Sequence, residues 1–89
     1  MSGGHYNYIY TRLIDMAEHI GEDLEDKELC ISDDTRDLMK LFRTELYHTA
    51  RKAKVLEWVM SGDYSEDAFK DAMDAPFNPE ITENDVWGA

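Results

Sequence analysis

Between residues 35 and 60 the apolar positions Met39, Phe42, Leu46, Thr49, Ala53, Leu56 and Met60 recur at alternating steps of three and four. Seven positions in that register over six turns are the mark of one long amphipathic α-helix, because 3.6 residues per turn return every third or fourth side chain to the same face. Leu38 and Ala50 flank the seam. A stripe of this kind cannot bury itself alone, so a second amphipathic helix is required to cover it.

That second helix lies upstream. Tyr6, Tyr10, Leu13, Ala17, Ile20 and Leu24 repeat at steps of four and three, with Ile9 and Met16 widening the stripe. Gly21 weakens this helix by up to about 1 kcal/mol relative to alanine. Residues 27–34 break the period, and Ser32, Asp33 and Asp34 suit the start of the next helix. The expected pair is an antiparallel hairpin, with Thr49, Ala50 and Ala53 small enough to let the two backbones approach closely. Gly62 is placed to end the long helix in the left-handed conformation. Asp63 and Glu66 then read as a capping box opening a short third helix over about 64–74, which Ala75-Pro76 stops. The expected fold is all-α: a long antiparallel helical hairpin and a short third helix over residues 1–74, starting from a flexible stretch over residues 1–5, then an extended acidic C-terminal tail over 75–89. That tail carries Phe77, Ile81, Val86 and Trp87 and either folds back over the hairpin or stays free as a linear motif.

Eighty-nine residues allow one small domain with a modest core, and a homodimer or larger assembly is expected to supply the rest of the stability. No apolar run approaches the roughly 18 residues of a membrane span. The start has neither secretory signal-peptide character nor, with Ser2 in place of glycine, a myristoylation signal. A single cysteine, Cys30, precludes an internal disulfide framework and fits a reducing, cytoplasmic setting. It is expected to be a buried plug between Leu29 and Ile31.

Charge is distributed unevenly. The net charge is −11, yet residues 1–34 carry −7, residues 35–60 carry +3 and residues 61–89 carry −7. The overall acidity opposes non-specific binding to nucleic-acid phosphates. Within the basic segment, Arg36, Lys40, Arg43, Tyr47, Arg51, Lys54 and Trp58 form a second stripe, displaced by one residue from the apolar one. Two readings stand side by side. The bases pair with acids of the first helix across the hairpin edge. Alternatively they hold an anion, a nucleotide stacked on Tyr47 and Trp58, at a site between subunits.

No constellation for catalysis is present. The carboxylates lack a cleft to raise one pKa, and no HExxH, CxxC or phosphate-cradling glycine loop occurs. His5, His19 and His48 do not share metal-ligand spacing, so neither a metal nor another cofactor is expected. Of the three nearby tyrosines, Tyr6 and Tyr10 share a face and are expected to pack, whereas Tyr8 points elsewhere.

The opening Met1-Ser2-Gly3-Gly4-His5-Tyr6-Asn7-Tyr8 and the segment Glu57-Trp58-Val59-Met60-Ser61-Gly62-Asp63-Tyr64-Ser65-Glu66-Asp67-Ala68-Phe69 resemble two stretches of a family of small acidic phage and prophage helical proteins. These open Ser-Gly-Gly-His-aromatic-x-Tyr and carry Ser-Gly-Asp-x-x-Glu-x-x-Phe. The resemblance covers about a quarter of the chain and implies a phage or prophage origin and a host cytoplasm. It brings no defined activity with it. In that setting the expected function is non-enzymatic: stoichiometric inhibition of a host protein, a defence or nucleic-acid-handling factor, through acidic surfaces that imitate a phosphate array. The residues expected to carry it are Glu18, Glu22, Asp23, Glu25 and Asp26 of the first helix and Asp63, Glu66 and Asp67 after Gly62. The alternatives are nucleotide sequestration by the basic–aromatic stripe, and a structural or regulatory phage component.

Overall fold

The structure, a computed structural model, describes residues 5–89. The expectation of a flexible start therefore lies, for residues 1–4, outside the described residues. Four helices follow in chain order: α1 (Ile9–Glu25), α2 (Asp33–Met60), α3 (Glu66–Asp74) and α4 (Glu83–Trp87). α1 and α2 form the hairpin, while α3 and α4 each pack on α2. The described residues contain no strand.

α1 begins three residues later than its apolar period suggests. Asn7 and Tyr8 take left-handed backbone angles, φ 58° and 57°, a conformation that costs an L-residue roughly 1–2 kcal/mol. The Tyr8 backbone N–H is held in that bend by the Glu57 carboxylate of α2 at 3.0 Å. At the other end of α1, Arg36 reaches back from α2. Its Nη1 donates to the Leu24 carbonyl at 3.1 Å and its Nη2 to the Leu29 carbonyl at 3.2 Å. A cation at a helix C-terminus satisfies free carbonyls and opposes the helix dipole. Ser32 caps α2, its hydroxyl accepting the Thr35 N–H at 3.2 Å, with Asp33 and Asp34 in the first turn.

Gly62 ends α2 with φ 85°. Its N–H donates to the Val59 carbonyl and that of Asp63 to the Trp58 carbonyl, closing the last turn. The capping box expected from Asp63 and Glu66 does not form. Ser65 is the N-cap of α3, without a side-chain bond, and Glu66 is already the first helical residue. The acidic tail is non-helical through Thr82 and then makes the single turn of α4. There the Asp85 carboxylate accepts the Thr82 N–H at 2.9 Å.

Tyr10, Ile14, Ala17 and Ile20 of α1 share one core with Leu46, Tyr47 and Ala50 of α2, and with Ile81 and Val86 of the tail. Residues on both sides of the 74/75 boundary are thus joined in one hydrophobic cluster. Ala17 and Ala50 are fully buried, so the backbones do approach through small residues, but Thr49 is exposed. The contact face of α2 is not the apolar stripe. It falls between that stripe and the basic one, leaving Leu38, Phe42 and Met60 exposed and burying Tyr47 and Lys54. The docked tail packs on the same edge: Ile81 and Val86 join the core cluster with Tyr47, and Lys54 bonds the tail's carbonyls.

Candidate functional site

Glu18, Glu22 and Glu25 recur at steps of four and three, which places them on one outer flank of α1. All three are exposed. The docking of α4 adds Glu83 to this row, hydrogen-bonded to the Glu18 side chain. Two carboxylates set side by side each disfavour the other's charged form. Glu18 accordingly titrates above the usual glutamate range, chiefly through the bond to Glu83, with desolvation and the charges of Glu83, Asp15 and Glu22 adding to it. The result is a ridge of carboxylates from two helices.

The other expected acids do not join that ridge. Asp26 stands in the connection after α1, where its Oδ1 accepts the Glu28 N–H at 2.9 Å. Asp23 projects from the opposite flank of α1. Asp63, Glu66 and Asp67 are exposed beyond the far end of α2. Most of the 28-residue α2 stands between them and Glu22, Glu25 and Asp26 near the C-terminal end of α1, so the eight acids do not form one surface.

The basic stripe is largely occupied from within. Besides Arg36, the Arg43 Nε crosses the hairpin to donate to the Ala17 carbonyl at 3.2 Å, with its guanidinium 5.4 Å from the Tyr47 ring centre. Gly21 makes this crossing possible, since a Cβ there would lie 3.2 Å from Arg43 Nε. Lys54 is buried and donates to the carbonyls of Trp87 at 2.9 Å and Ala89 at 2.7 Å, and burial pulls its pKa down. Tyr47 is buried in the core, and Trp58 stacks on Tyr64 at 5.8 Å. Arg51 is half-buried and Lys40 exposed. Neither open stacking faces nor a continuous cationic groove results. The bases of this stripe bind backbone carbonyls rather than the acids of α1. Among the described residues the one side-chain contact between a carboxylate and a basic group is His19–Glu22 at 3.7 Å, and both partners are exposed.

Around the open end of the hairpin the aromatic residues cluster: Tyr8 against Tyr10, Tyr10 against Trp87 and His5 against Tyr6, each edge to face. Tyr10 is buried, Tyr6 and Tyr8 are exposed. The Tyr10 hydroxyl titrates above its ordinary value, first through burial and then through the Glu57 carboxylate, with the Trp58 indole opposing. The Trp58 N–H itself is buried and makes no hydrogen bond of good geometry. His48 accepts the Asn78 N–H at its Nε2, 2.9 Å away, and stacks on Phe77, so it anchors the tail. Cys30, expected to be buried, is exposed with its thiol 3.6 Å from the Glu28 carbonyl. The connection bulges out of the core instead of filling it.

Sequence reasoning missed Glu83 and Glu57. The first had a signal in Thr82-x-x-Asp85, a helix-start pattern. The second had none, because one acid among bases on an amphipathic helix reads as solvated. No group of three or more metal-ligating side chains is found among the described residues, nor is any helix there long and apolar enough to cross a membrane. No protein family, curated protein or solved structure matches the chain.

Proposed function

We propose that the protein is a non-enzymatic binding protein that inhibits a partner stoichiometrically by laying its acidic ridge into a basic groove. The observation that carries this reading is the lack of internal neutralisation. Arg36, Arg43 and Lys54 bind carbonyl oxygens and none of them pairs with Glu18, Glu22, Glu25 or Glu83, so the ridge stays net negative even with Glu18 titrating high. Such a field steers and holds a complementary surface that otherwise binds phosphates. The phage-type resemblance makes a bacterial defence or nucleic-acid-handling protein the proposed partner.

The test is affinity capture from nuclease-treated bacterial lysate with the unmodified chain and with Glu22→Lys, Glu25→Lys and Asp26→Lys combined. These side chains are exposed, so helical circular dichroism is retained. The reading expects a partner that is released by salt, displaced by added duplex DNA and not captured by the triple variant. Equal capture by both proteins removes the acidic mechanism.

A further inference from the structure

The hairpin has two sides, and α4 with its preceding segment covers one. On the other, Ile9 (54% exposed) and Met16 of α1 and, further along the hairpin, Phe42 (44%) and Leu38 (65%) of α2 are exposed. They continue to an apolar cleft of about 310 Å³ lined by Tyr6, Ile9, Ala53, Leu56 and Glu57. The molecule is a slab, 46 × 25 × 16 Å. Its accessible surface of 6173 Å² exceeds the roughly 5,400 Å² expected for a compact monomer of this mass.

The rim of this face carries four charged residues with a particular order. Arg12 and Asp23 lie on the outer edge of α1, and Glu45 and Lys52 on the outer edge of α2. Arg12, Asp23 and Glu45 are exposed and Lys52 half-buried, and no ion pair among the described residues uses them. The midpoint between Arg12 and Asp23 falls at Ala17–Glu18, and that between Glu45 and Lys52 at His48–Thr49. The stagger of the hairpin, fixed by Tyr8 N–H on Glu57 and by Gly21 against Arg43, brings those midpoints to about the same height. One twofold axis through both would therefore bring each charge onto its opposite in a second copy. It would also place Phe42 at the height of Val55, over the cleft between Ala53 and Leu56.

The geometry points to an isologous, antiparallel dimer in which a second copy of this chain covers the Ile9–Met16–Phe42 face. Phe42 of each copy fills the other's cleft. Arg12 pairs with Asp23, and Glu45 with Lys52, across the axis. Self-complementarity of one patch under a twofold axis is the requirement for such an interface, and opposite charges along its rim fix the register. None of Glu22, Glu25 and Asp26 is needed for it, so it stands or falls separately from the acidic-ridge reading.

Light scattering coupled to size exclusion is expected to give twice the 10.3 kDa chain mass at micromolar concentration, and Phe42→Glu to give the single mass with its helical circular dichroism intact. A second arm spares the apolar face. Arg12→Glu and Asp23→Arg are each expected to weaken association about tenfold, and the two together to restore it. In a Cys30→Ser background, Thr49→Cys, close to the axis, is expected to oxidise to a covalent dimer. A protein that stays monomeric up to about millimolar concentration overturns the proposal. A dimer indifferent to Phe42→Glu does so too, as does a charge swap without rescue.

Discussion

The Glu57 carboxylate of α2, 1% exposed, accepts the Tyr8 backbone N–H at the entrance to α1. A buried acid is thereby the clasp that holds two left-handed residues in place and ties both ends of the hairpin together. Hydrogen bonds to charged groups contribute about 1.5–3 kcal/mol. Glu57→Ala is expected to lower stability by about 2 kcal/mol and Tm by about 10 °C, with amide exchange rising first at Tyr8 and the opening turn of α1. Unchanged exchange there would refute the clasp.

Glu18 and Glu83 make the docking of α4 sensitive to acid. The folded-state pKa of Glu18 lies above the usual value near 4.5, so the folded protein binds this proton more tightly than the unfolded chain. The contribution is fully present below that ordinary value and is lost as pH rises through the raised one. Tail protection, read by hydrogen exchange at Val86, is expected to increase on acidification from pH 7 towards 5. Glu18→Gln should increase it at pH 7 and flatten the profile. A variant profile parallel to that of the unmodified chain would contradict the coupling of Glu18 to Glu83.

Lys54 grips the tail through two carbonyls. Lys54→Met keeps the buried methylene stem but leaves those oxygens unpaired, a loss of about 1–3 kcal/mol. It is expected to free Ile81–Trp87 selectively and shift tryptophan emission to longer wavelength as Trp87 leaves Tyr10, with α1 and α2 still helical.

Gly62 holds φ 85° with no atom near its missing Cβ. Gly62→Ala therefore meets backbone strain alone and is expected to cost about 1–2 kcal/mol, measured by urea denaturation with the slope unchanged.

The helices were legible in the sequence because period, caps and the terminating glycine agreed. Ser32 and Gly62 stand where the pattern puts them. What misled was the rotation of α2. Seven apolar positions in perfect register define a face, but not which of its edges meets α1. The edge that does so also packs on Ile81 and Val86, two residues in a segment with no periodicity of its own. The same rotation buried Tyr47 and Lys54 and turned the basic stripe from a candidate anion groove into a set of carbonyl ligands. Three of the four carboxylates of the candidate acidic site were readable as spacing on α1. Its fourth carboxylate, Glu83, depended on a long-range contact that local pattern does not encode.

The commitment of Arg36, Arg43 and Lys54 to main-chain oxygens has a consequence for how the molecule tolerates change. Salt bridges would tie each surface acid to the fold, and replacing it would unbalance a partner. Contacts from arginine and lysine to peptide oxygens ask nothing of the acidic side chains. Exposed acids that no such contact uses, Glu22 and Glu25 among them, are thus decoupled from the scaffold: they can be exchanged to suit another target while the framework beneath them stands unaltered.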